Sequence, residues 1–123
     1  MNQVLLFVVA GLTGIWGIAH LFAAKGAVAE FGDISVDNRR IITMEWIAVG
    51  VALISTASFV AVAAAIDPLS DVSSAVFAVA IGTLVTLAGV SVFTGFRVSF
   101  LPYRLCPFIF SLSAALIAWG AWL

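Results

Sequence analysis

Charge is what this chain has least of. Only 9% of its 123 residues are Asp, Glu, Lys or Arg, against about a quarter in soluble domains. With 64% of residues hydrophobic, the solvent such a chain is built for is a bilayer. The net charge of −1 is spread thinly and no basic run interleaved with aromatics occurs, which excludes a nucleic-acid partner. Cys106 is the sole cysteine, so an intrachain disulfide, a CxxC redox pair, quinone-linked disulfide chemistry and a thiolate zinc cluster are all excluded. His20 is the sole histidine; one imidazole with one carboxylate is a poor metal site, and Met1 and Met44 are weak substitutes for the second axial ligand of a haem. No metal and no particular cofactor is therefore expected. Proline is confined to positions 68, 102 and 107, all at expected breaks between helices.

What is present is apolar sequence in lengths suited to membrane spans. A hydrocarbon layer of about 30 Å requires about 20 apolar residues per helix, because backbone groups must be satisfied within the segment. Four such runs fit, at about 4–24, 41–66, 73–96 and 105–123, and they predict an all-α, single-domain, four-transmembrane-helix bundle. The first lacks a preceding Lys or Arg and exceeds a typical signal-peptide core, so it reads as a retained helix. Gly11, Gly14 and Gly17 recur three apart in helix one, and Gly82, Thr86 and Gly89 recur in helix three. Small residues at such spacing mark close helix packing, within the chain or along a homo-oligomer seam. Asp37 or Asn38 is placed to cap helix two, and Asp67-Pro68 stops it. Trp119 and Trp122 suit an interfacial anchor at the end of helix four.

Sidedness follows from the bases. Lys25, Arg39, Arg40, Arg97 and Arg104, all five in the chain, fall in or beside the first and third connectors. The positive-inside rule then places connectors 25–40 and 97–106 in the cytoplasm and both termini on the non-cytoplasmic side.

The stretch from His20 to Glu45 contains the histidine, the lysine, two arginines and four of the six acids. His20 lies about four residues inside the end of helix one and Glu45 about four residues inside the start of helix two. At about 1.5 Å per residue both sit roughly 6 Å below the interface. Helix three is expected to end at that level with Arg97. A carboxylate in hydrocarbon is expensive unless paired or hydrated, so Glu45 is a functional candidate, and His20 is a candidate base or proton relay. Arg97, Arg39, Arg40, Thr43 and Tyr103 are candidate ligand contacts, an arginine fork being suited to a carboxylate or phosphate head. For Arg39 and Arg40, headgroup anchoring is the plainer reading.

The sequences G-I-W-G-I-A-H in helix one, N-R-R-I-I-T-M-E-W-I-A-V-G opening helix two, and P-Y-R-L-C-P before the last helix resemble the broad DoxX-like group of small four-helix bacterial membrane proteins. The resemblance implies a four-helix bundle with a glycine-containing first helix, in the plasma (inner) membrane. That group is functionally mixed, and some members accompany quinone-linked oxidoreductases.

The expected function is a pocket on the cytoplasmic side, formed by His20, Glu45 and Arg97, that binds a hydrophobic or amphipathic small molecule such as a quinone, isoprenoid or membrane lipid. Two alternatives stay open: an enzyme using His20 and Glu45 as an acid–base pair, or an accessory subunit of a membrane complex. A proton path would need polar residues through the outer halves of the helices, which offer only hydroxyls such as Thr13, Ser55, Thr56 and Ser58.

Overall fold

The computed structural model describes residues 1–123 and contains four helices: α1 (Gln3–Ala29), α2 (Val36–Ile66), α3 (Asp71–Thr94) and α4 (Leu101–Trp122). Each is long and apolar enough to cross a membrane. Antiparallel neighbours follow from the short connectors. α1 packs closely on α2, and α3 on α4; α1 also meets α4, while α2 and α3 touch least. The shared core contains Leu6, Leu53, Phe77, Leu84, Phe110 and Ile117. Most other large apolar side chains face outward, Phe22 and Phe93 among them, as expected where lipid is the surrounding medium.

Four helix ends differ from the sequence expectation. α1 runs through Gly26 to Ala29 because its last turn has an apolar partner. Ala24 and Ala27 are buried with Trp46 in a second small core, flanked by Ile42, Phe100 and Tyr103. The chain turns only at Gly32, whose φ of 69° is a left-handed conformation suited to glycine. α2 begins at Val36, capped by Ser35, whose hydroxyl accepts from the Asn38 amide at 3.1 Å; Asp37 sits in its first turn instead. α4 begins at Leu101, with Pro102 in its first turn, where no amide is needed. Pro107 lies buried inside that helix and cannot donate to the Tyr103 carbonyl one turn earlier. α3 ends at Thr94 with Gly95 as its C-cap, so Arg97 lies beyond the helix.

Two polar ties fix the ends of the bundle remote from the bases. The Asn2 amide donates to the Gly120 carbonyl at 2.7 Å, and the Gln3 side-chain amide to the Ala64 carbonyl at 2.7 Å. All five bases cluster at the opposite end, in and beside the connectors 30–35 and 95–100, which meet over a shallow hollow containing Glu30, Phe31, Val98 and Phe100.

α1 and α2 approach most closely where Gly17 meets Gly50. A Cβ on Gly17 would stand 2.8 Å from the Gly50 carbonyl oxygen, and one on Gly50 would stand 2.8 Å from that of Gly17. By contrast, nothing lies within 4 Å of such an atom at Gly11, Gly82 or Gly89. The seam expected from the glycines is therefore intramolecular at Gly17, and the Gly82–Gly89 stripe has no partner within the chain. Gly17→Ala and Gly50→Ala should each destabilise the bundle by about 1–3 kcal/mol through overpacking. Gly11→Ala and Gly82→Ala should be neutral or stabilising by up to about 1 kcal/mol through helix propensity. Thermal unfolding of the purified protein in detergent measures both.

Candidate functional site

Next to the Gly17–Gly50 crossing, four helices enclose a cavity of about 230 Å³. α1 contributes His20; α2 contributes Glu45, Trp46 and Val49; α3 contributes Leu87, Val90, Ser91 and Thr94; and α4 contributes Tyr103, Cys106 and Phe110. The approach at Gly17 and Gly50 brings His20, one turn on from Gly17, against Trp46, one turn before Gly50. Their rings lie 5.1 Å apart at 32°. On its other side Trp46 meets Tyr103 edge-on at 5.2 Å, and its indole N–H donates to the Tyr103 hydroxyl oxygen at 3.0 Å. Trp46 is thus a wall held between the imidazole and the phenol. Because Tyr103 Oη already accepts from Trp46, its own proton remains available for donation to an acceptor in the cavity.

His20 is 6% exposed and its Nδ1 lies 3.0 Å from the Trp16 carbonyl oxygen. A carbonyl only accepts, so Nδ1 carries the proton, and neutral imidazole then presents a lone pair at Nε2. That Nε2 faces Cys106 Sγ at 3.7 Å, and the thiol donates to it. Cys106 is equally secluded, at 6% exposure. The closest polar partner of His20 across the bundle is therefore a thiol on α4, and no hydrogen bond joins His20 to Glu45.

The other candidates divide cleanly. Glu45 lines the cavity but is exposed, at its mouth. Tyr103 lines it as well. Arg97 does not reach it: the helix that would have aimed it stops at Thr94, and Arg97 is exposed in the following turn. Arg39 is exposed. Arg40 makes the one ion pair of the chain, with Asp37 at 4.0 Å, and lies with Thr43 along the outer face of α2. Thr43 donates to the Arg39 carbonyl at 2.8 Å, which satisfies it within its own helix. No lysine or arginine lines the cavity.

Comparison with family models, curated proteins and solved structures returns no match. The chemistry of the cavity must be read from its own residues. No group of three or more His, Cys, Asp or Glu side chains is placed to hold a metal ion. The donors are a thiol, an imidazole lone pair, a phenol and, at the mouth, a carboxylate, all in otherwise apolar surroundings.

Sequence reading missed Cys106 and Trp46. Cys106 has no second cysteine to mark it, and its signal lies in the antiparallel register: α1 and α4 place His20 and Cys106 level, as they place Leu6 and Gly120. The Trp46–Tyr103 bond gives a direct test of the wall. Tyr103→Phe leaves a secluded indole N–H without its acceptor and should lower stability by about 1–3 kcal/mol, seen in thermal unfolding, with loss of aromatic near-ultraviolet circular dichroism.

Proposed function

We propose that this protein binds an amphipathic small molecule that enters sideways from the bilayer between α2 and α3. The observation that carries this reading is a second cavity, of about 420 Å³, between α2 and α3 and closer to the other membrane face, lined by Thr56, Phe59, Val72, Val76, Val79 and Thr83. From Glu45 to Phe59 the two cavities together span about 21 Å of α2 at about 1.5 Å per residue. That is room for a long apolar tail, with the head beside His20, Tyr103 and Cys106. Pockets between bundle helices with a few convergent polar groups are a common ligand-binding solution.

The charge at the mouth constrains the head. Glu45 stands there, and the arginines expected to receive an anionic head lie elsewhere. A neutral or cationic head with hydrogen-bond donors, such as a quinol, a hydroxylated isoprenoid or an aminolipid, fits better than a phosphate or carboxylate. The resemblance to DoxX-like proteins is consistent with a lipid-soluble ligand. With the cytoplasm on the side of the five bases, the head would lie near the cytoplasmic face of the plasma membrane.

Native mass spectrometry of the protein released from lipid should find one bound amphipathic species per chain. Val79→Trp, which fills the groove, should lower its occupancy at least about tenfold, a loss of about 1.4 kcal/mol. Val62→Trp, on the outer face of α2, should leave it unchanged. Equal occupancy in both variants would overturn the reading. Glu45→Lys should shift the retained species towards anionic heads.

Sidedness has its own test. Single cysteines introduced at Asp33 and Val98 in a Cys106→Ser background should react with a membrane-impermeant maleimide only after the cells are opened. One at Leu69 should react in intact cells.

A further inference from the structure

We infer that Cys106 and His20 together bind a soft monovalent metal ion, copper(I) by chemical class, through the thiolate sulfur and imidazole Nε2. The two donors come from separate helices and stand 3.7 Å apart. With metal–sulfur and metal–nitrogen bonds of about 2.3 and 2.0 Å, that span corresponds to an angle at the metal of about 120°. This is a trigonal arrangement, with the third position left to a donor brought by water or a bound ligand. Thiolate is among the soft donors that suit copper(I), and imidazole suits copper as well.

Three further observations support a metal rather than a nucleophilic dyad. The hydrogen bond from Nδ1 to the Trp16 carbonyl is the outer-shell bond by which metal-ligating histidines are held in one tautomer with the other nitrogen free. The Trp16 indole N–H is buried with no strong acceptor, and the Cys106 sulfur is the one partner beside it. A thiol is a weak acceptor, whereas a metal-bound thiolate is a strong one and would satisfy that donor. The last is a matter of charge. Both side chains are 6% exposed, so transfer of the thiol proton to His20 would create a separated ion pair in apolar surroundings, which is costly. When a monovalent cation replaces the proton, the S–H bond breaks, a metal–sulfur bond forms, and the proton leaves to the aqueous side. Thiolate, cation and neutral imidazole then sum to zero charge.

The same donor set argues against zinc. With two protein ligands and no third acidic, histidine or cysteine side chain placed to join them, the closed tetrahedral site that zinc prefers is absent.

The test is a titration of the detergent-solubilised protein with copper(I) delivered from a competing chelator under anaerobic conditions. One ion per chain should bind, and X-ray absorption should report one sulfur and at least one nitrogen neighbour. Cys106→Ser and His20→Ala should each weaken binding by about 100-fold or more. Silver(I), added to 15N-histidine-labelled protein, should shift the Nε2 resonance of His20 and leave Nδ1 protonated, a readout in the unaltered chain. Val79→Trp should retain the ion even if it expels an amphipathic ligand, which separates this site from the groove. Unchanged affinity in His20→Ala, binding that persists in Cys106→Ser through the methionines, or displacement of copper(I) by equimolar zinc would each overturn the assignment.

Discussion

The closeness of α1 to α2 at Gly17 and Gly50 is the constraint on which the rest of the molecule depends. In a bilayer, burying apolar side chains against one another gains little over burying them in lipid, so helices associate through close packing and interhelical polar contacts. Gly17 and Gly50 let two backbones meet without intervening Cβ atoms, and everything nearby follows from that depth. His20 and Leu21 of α1 are pressed towards Gly50, and the imidazole is laid against Trp46. A helix pair held farther apart would part the imidazole from the Trp46 ring.

That tight pair has a counterpart in α3 and α4, and the two pairs meet unequally. α1 reaches α4 along a regular seam, whereas α2 and α3 pack less extensively. The groove between them is a consequence of geometry as much as of sequence: once α1/α2 and α3/α4 are each closed and α1 is seated on α4, the remaining junction stays open to lipid. His20 and Cys106 come from the α1–α4 side of the bundle, and Glu45 stands on the α2–α3 side. An amphipathic molecule that enters such a groove keeps its apolar part continuous with the bilayer and exchanges only its head's hydration for protein contacts.

The helices were legible because composition alone identifies segments that must satisfy their backbones internally. Their ends were less so. Gly26 reads as a breaker, yet Ala27 and Val28 are buried just beyond it, and tertiary burial outweighs a local propensity of about 1 kcal/mol. For the site, depth counting brought His20 and Glu45 to one cavity, because membrane insertion fixes height along the bundle. It could not supply rotation about the helix axis, which decides that Glu45 stands at the mouth. Arg97 failed for a related reason: its expected aim assumed that α3 continues to Phe96, and the helix ends two residues earlier at Thr94. Cys106 was hidden because its partner is a histidine 86 positions away, and only the pairing of α1 with α4 makes them neighbours.

The α1–α4 seam also bears on what the cavity is not. Leu6, Thr13 and His20 lie seven residues apart on α1, and Cys106, Ser113 and Gly120 lie seven apart on α4. Contacts tie the outer pairs of this antiparallel register, Leu6 with Gly120 and His20 with Cys106. Thr13 and Ser113 occupy the middle level, 2% and 0% exposed, and both hydroxyls lack hydrogen-bond partners. Polarity therefore extends from the cavity about halfway along the seam and stops. At the next level Leu6 is fully buried and fills the space over Gly120 that a side chain would otherwise occupy. A conducting path needs polar groups or water at every level, because each unsatisfied step in hydrocarbon costs several kcal/mol. An apolar plug one heptad beyond two orphan hydroxyls interrupts the polarity of this seam.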